Sequence, residues 1–162
     1  MPAETDTIFV NTAPEALFDF LANPDNLPRM LASHMFVQTN SIEPLESGGY
    51  RYRWNYKMLG KWLTADSETI EFERPHLFAV RSTGGVDTVS RWNLAAEGEG
   101  TRATFTIEYE MNNRLLARLT ERFVRNQIQY SVQVALLNIK ELLERDTRPA
   151  PSTESGSGQV LL

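Results

Sequence analysis

The chain has 162 residues, of which 41% are hydrophobic and 23% charged, with no cysteine and a net charge of −5. That length fits one domain, expected over residues 1–147, with enough apolar surface to build a core without covalent staples. The missing cysteines exclude disulfides, thiolate metal sites and a cysteine nucleophile, and the acidic balance disfavours nucleic acid and anionic membranes as partners.

No apolar run approaches the ~20 residues that a membrane span needs. Met1 to Thr7 has neither the basic region nor the apolar stretch of a secretory signal, so the expected location is cytoplasmic. Thr7 to Val10 reads as a first strand. A short helix follows, with Thr12 as its cap, Pro14 in its first turn and Glu15 as the capping-box partner. Leu17, Phe18 and Leu21 give it one apolar side, and Asn23-Pro24 ends it. Pro24 to Leu31 forms a second short helix or turn.

The middle of the chain predicts six strands. His34 to Ser41 is the first of them. Tyr50 to Met58 shows the clearest period of two, with Tyr50, Tyr52, Trp54, Tyr56 and Met58 on one side and Arg51, Arg53, Asn55 and Lys57 on the other. Trp62 to Phe72, Leu77 to Ser82, Val86 to Leu94 and Arg102 to Tyr109 complete the set, joined by glycine-containing turns that suit an antiparallel meander. Asn113 to about Arg145 then reads as one helix. It lacks Gly and Pro, and Leu116, Leu119, Phe123, Val132, Ala135, Leu136, Ile139, Leu142 and Leu143 recur along it at helical spacing. Such a rod would be about 50 Å long. Arg148 to Leu162 is rich in Pro, Ser and Gly and is expected to be a disordered tail. Its apolar end, Gln159 to Leu162, has the chemistry of a strand-addition or receptor-read segment, with an inert tail as the simpler reading.

This order of strand, two short helices, six strands and long helix resembles the START-like superfamily, the polyketide cyclase/dehydrase and lipid-transport group. The resemblance rests on the opening IFVNTAPEALFDFLANPDNLPRM, the segment IEFERPHLFAVR, the turn into the last strand GEGTRATFTIEYE and the helix end LLNIKELLE. It covers about residues 7 to 145. It implies an α+β helix-grip fold, in which a seven-stranded curved antiparallel sheet wraps a long C-terminal helix. Members of that superfamily bind sterols, lipids, quinones or plant hormones, cyclise polyketides, or assist chaperones, so the fold leaves the activity open.

In a helix-grip fold the aromatic strand faces point at the long helix, where large rings with polar tips leave room for a ligand. Tyr52, Trp54, Tyr56, Trp92, Phe105, Tyr109 and Phe123 are the expected ligand-binding wall. Gln127 and Ser131, which interrupt the apolar stripe of the helix, are expected to orient a polar end. Strict alternation from Trp62, Ile70 and Phe72 would turn Asp66 and Glu68 inward, where a carboxyl would gain the raised pKa of a general acid. A bulge near Ala65 would return both to solvent, and this is the favoured reading.

His34 and Asp66 are the weak candidates for catalysis, with Tyr56 and Tyr109 as further proton donors. Two histidines without ligand spacing predict no metal, and no phosphate-binding or nucleotide-binding motif predicts a cofactor. Arg118, Arg122 and Arg125 read as a solvated helix face. The primary expectation is therefore a module that binds an apolar or aromatic small molecule of lipid, polyketide or isoprenoid type. Two alternatives stand beside it: a cyclase or dehydratase using a cavity acid/base, and a protein-interaction module with a filled core. Nothing in the pattern specifies an oligomeric state.

Overall fold

The computed structural model describes residues 2–31, 35–58, 60–111 and 121–147. Among the described residues three helices and eight strands follow one another as β1 (Ala3–Val10), α1 (Pro14–Ala22), α2 (Leu27–Met30), β2 (Met35–Val37), β3 (Glu43–Pro44), β4 (Tyr50–Met58), β5 (Lys61–Glu73), β6 (Leu77–Thr83), β7 (Val86–Glu97), β8 (Gly100–Met111) and α3 (Glu121–Thr147), with short 3-10 turns at Pro24–Asn26 and Thr39–Ser41. The strands form one curved antiparallel sheet in the order β1-β8-β7-β6-β5-β4-β2. These are the seven strands expected, and the two-residue β3 pairs with β4 off that path.

Strand β4 has the predicted bounds because its alternation is unbroken. The strand expected over His34 to Ser41 is cut short. The Ser41 hydroxyl donates to the Gln38 carbonyl at 2.6 Å and accepts from the Arg53 amide at 2.8 Å, so a side chain takes over where a ladder partner would stand. The first strand starts at Ala3 instead of Thr7, because β8 offers backbone partners as far as Glu108. The helix start also differs from expectation. Ala13 holds the cap position with no side-chain cap, and buried Thr12 accepts a hydrogen bond on its carbonyl from Thr101 at 2.8 Å.

In β5 the face that turns inward is Ala65, Ser67 and Thr69, not Trp62 and Asp66. The register shifts between Thr69 and Glu71, which restores Phe72 to the core side. The bulge therefore exists, but about five residues beyond Ala65, and Trp62 is 55% exposed. Asp66 and Glu68 face solvent and pair with Arg53 at 2.7 Å and Arg51 at 3.3 Å.

The described part of the long helix is 27 residues, about 40 Å. Its buried side is Val124, Ile128, Val132, Ala135, Leu136, Ile139 and Leu143, a helical stripe that lies along β1 and β8. Polar pins fix its position at both ends. Arg125 pairs with Glu4 at 3.0 Å, Asn138 donates to the Met30 carbonyl at 2.8 Å, and Lys140 donates to the Phe9 carbonyl at 2.8 Å. Leu116, Arg118, Leu119 and the tail from Arg148 lie outside the described residues. Among the described residues no helix is long and apolar enough to cross a membrane.

Candidate functional site

The inner face of β4 is built from large rings over small neighbours. Trp54 lies opposite Ala65 and Tyr52 opposite Ser67, so β5 presents little bulk beneath them. The Trp54 and Tyr56 rings lean on one another with centroids 4.9 Å apart. On the far side of the floor Trp92 stacks on Phe105 at 3.9 Å and 7°, filling the core where β7 meets β8. Between these two aromatic groups the inner positions of β6 and β7 are medium or small: Val80 and Ser82, then Val86, Thr88 and Ser90. Rings at both sides and small residues between them leave a cavity.

That cavity has a volume of about 160 Å³, similar to the ~150 Å³ apolar cavity that accepts benzene. Tyr52, Trp54, Tyr56 and Met58 form one wall. Phe78, Trp92, Phe105 and Ile107 form the opposite floor, and Ser82, Thr88 and Ser90 lie between. Leu21 from α1, Leu27 and Met30 from α2, and Ile128 and Ser131 from α3 cover it. No charged residue is among the described lining residues.

The polar groups of the wall are few and mostly engaged. The Trp54 indole N–H donates to Ser67 Oγ at 2.7 Å, and Ser67 Oγ lies 2.6 Å from Ser82 Oγ. Burial pushes the Tyr52 hydroxyl up to about 12, partly offset by the neighbouring Ser67 hydroxyl. Tyr56 is also raised by burial, against the opposing pull of the Val86 amide. Its hydroxyl donates to the Gly84 carbonyl at 2.9 Å and accepts from the Val86 amide at 3.3 Å. That tyrosine is committed to holding the β6–β7 turn.

Of the nine residues expected at the site, Tyr52, Trp54, Tyr56, Trp92, Phe105 and Ser131 line the cavity. Three do not. Tyr109 is 1% exposed and lies on the inner face of β8, but its hydroxyl is buried without a hydrogen-bond partner among the described residues, near Glu4, Arg125 and Glu121. Burial raises its pKa, with Glu4 adding to the shift. Phe123 is half-buried outside the wall and Gln127 is exposed. The helix turns Ile128 and Ser131 toward the cavity, and Ser131 donates to the Gln127 carbonyl at 2.9 Å, so its hydroxyl is occupied by its own helix.

The acid/base candidates are dispersed. Asp66 is on the solvent face beside Arg53, Tyr56 is tied to backbone, Tyr109 is outside the wall, and His34 lies outside the described residues. Among the described residues no three His, Asp or Glu side chains gather as a metal site requires. The sequence reading missed Ser67 and Ser82. Their signal was present as the small, polar inner positions of strands whose neighbours carry rings, but parity in β5 had to be known first.

Residues 1–144 match the family model described as polyketide cyclase / dehydrase and lipid transport. No curated protein matches the chain. Among solved structures, a Thermus thermophilus protein is similar with a TM-score of 0.76 at 21% identity, covering 91% of this chain and 100% of its own. A conserved protein from Geobacillus kaustophilus follows at TM-score 0.72 and 14% identity, covering 90% of this chain and 97% of its own. A START superfamily protein from Mycobacterium smegmatis has a TM-score of 0.71 at 9% identity, covering 88% of this chain and 97% of its own. At these identities the likeness shows the shared fold.

Proposed function

Because the chain belongs to the polyketide cyclase / dehydrase and lipid transport family, we propose that it binds a neutral apolar or aromatic small molecule, of lipid, polyketide or isoprenoid type, in the cavity between the sheet and the helices. The observation that carries this reading is the composition of the wall. Aromatic and aliphatic groups surround the space, a few hydroxyls interrupt them, and no charged side chain is among the described residues lining it. An ionised ligand group would lose its hydration there without gaining a counter-charge. A flat ring fits between Trp54 and Tyr56 on one side and Phe78 and Trp92 on the other. Longer ligands require α2 or the cavity-facing side of α3 to give way.

Native mass spectrometry of the purified protein, followed by denaturation and identification of the released molecule, tests the reading. A co-purifying apolar metabolite is the expected result. Trp54→Ala should then weaken binding of that molecule by about tenfold or more, since a large buried ring is removed from the wall. Unchanged affinity would remove Trp54 from the site, and a protein that neither carries nor takes up any apolar molecule would defeat the proposal.

A further inference from the structure

We propose that the β4–β5 hairpin docks this protein on anionic lipid surfaces, with Trp62 entering the headgroup layer and Lys57 and Lys61 held against its negative charge. The docking does not depend on what the cavity holds. From Ser47 to Ala65 the chain has no acidic residue, yet it has Arg51, Arg53, Lys57 and Lys61. The two arginines are engaged by Glu68 and Asp66. Both lysines are exposed, and neither forms an ion pair among the described residues.

Strand β2 pairs with β4 only as far as Tyr56, and β6 pairs with β5 only from Asp66 onward. No further described strand flanks the end of the hairpin, where Lys57 pairs with Trp62 and Met58 with Lys61. Cross-strand partners share a face. Trp62, 55% exposed, therefore lies beside Lys57 on the outer face, and Lys61 lies beside Met58 on the inner face. Met58 lines the cavity, so the tip stands at the cavity rim. An added Cβ at Gly60 would meet nothing within 4 Å, which leaves the turn open to contact. An indole between two lysines suits the boundary of headgroups and acyl chains, where the ring is partly buried and the cations stay hydrated. The net charge of −5 does not oppose docking at this point. The first carboxylate along β5 is that of Asp66, which Arg53 holds at 2.7 Å. It is roughly 16 Å along the strand from Lys61, beyond the Debye length of ~8 Å. A protein partner fits the tip less well. A stable protein interface takes about 800 Å² from each side, more than a convex turn supplies, whereas a bilayer surface can receive one side chain.

Co-sedimentation of the full chain with vesicles tests the docking. Phosphatidylcholine vesicles containing about a third phosphatidylserine should carry the protein down, and pure phosphatidylcholine should carry far less. Lys57→Ser and Lys61→Ser should each weaken the partitioning by about fivefold, and added salt should weaken it further. Brominated acyl chains should quench the native tryptophan emission but not that of Trp62→Phe, whose remaining Trp54 and Trp92 line the cavity. All three side chains are exposed, so these variants should keep the native urea midpoint and report docking alone. Equal sedimentation with both kinds of vesicle, or with neither, would overturn the proposal. Undiminished binding by the double variant Lys57→Ser/Lys61→Ser would place the contact on another surface and overturn it as well. A Trp62-dependent dimer in native mass spectrometry, without vesicle binding, would show that a second copy covers the tip instead of lipid. Each of these failures leaves the cavity reading standing, because that reading is tested by uptake of an apolar molecule in the absence of vesicles.

Discussion

Ser67 holds two neighbours in place at once, Trp54 and Ser82, so its loss should be felt beyond its size. Ser67→Ala leaves the Trp54 N–H without its acceptor and removes the partner of Ser82. A stranded buried donor costs about 1–3 kcal/mol, and urea denaturation should show a loss in that range. A loss well below it would mean that water in the cavity replaces the serine. Tyr52 supplies a second test at this scale. Its folded pKa of about 12 lies above the ordinary 10.0. The unfolded chain therefore releases the phenol proton first. The stability associated with the neutral phenol is fully present below pH ~10 and is lost as pH rises through ~12. Unfolding free energies compared across that window should fall with pH, and Tyr52→Phe should flatten the slope. The outer-face pairs of Asp66 and Glu68 are a contrast. They are half or more exposed, so each should contribute no more than about 1 kcal/mol.

Two elements set the site's shape. The β6–β7 turn brings Gly84 to φ +125, with an added Cβ only 2.2 Å from the Thr64 carbonyl oxygen. The same residue offers its carbonyl to Tyr56. Gly84→Ala should therefore cost at least ~2 kcal/mol in thermal or urea unfolding and loosen the wall around Tyr56. An effect near zero would show that the turn can move away from β5. Helix α3 depends on its buried stripe. Ile139 is fully buried against the sheet, and Ile139→Ala should destabilise by about 2–5 kcal/mol through lost burial and the cavity left behind. The exposed Leu137→Ala should change stability by less than ~0.5 kcal/mol, and comparing the two in urea checks which side of the helix carries the packing.

For the molecule as a whole, the cavity is a deliberate departure from close packing. Leu21, Phe78, Trp92 and Phe105 belong to the continuous core and also bound the empty space. A ligand that fills that space binds the folded state alone, and so raises stability by mass action. At 100 times its dissociation constant the gain is about 2.7 kcal/mol, which for a chain of this length raises Tm by roughly 5–10 °C. Thermal scans with a co-purified or probe ligand should show that shift. A ligand that binds at the surface of the unfolded chain as well would show little or none.

The amino-acid sequence by itself determined the element types and their order. Tyr50 to Met58 alternates so regularly that only one strand and one inner face are consistent with it, and the glycine-containing turns impose the meander. The family resemblance rested on segments that span the chain from the first strand to the end of α3, and it converted that order into a fold. Only the tertiary structure decided the face of β5. A bulge at Thr69 to Glu71 reverses parity, and one residue of slip exchanges Asp66 for Ser67 at the inner face. Bulges have no local composition signal here, because Thr69, Ile70 and Glu71 would suit an unbroken strand equally well. Helix rotation was the other late decision. The apolar stripe extends through Val124 and Ile128, so Gln127 turns to solvent and Tyr109 meets the charged end of α3 instead of the cavity. Side-chain direction within a known element depends on what packs against it, and that information is spread over residues far apart in the chain.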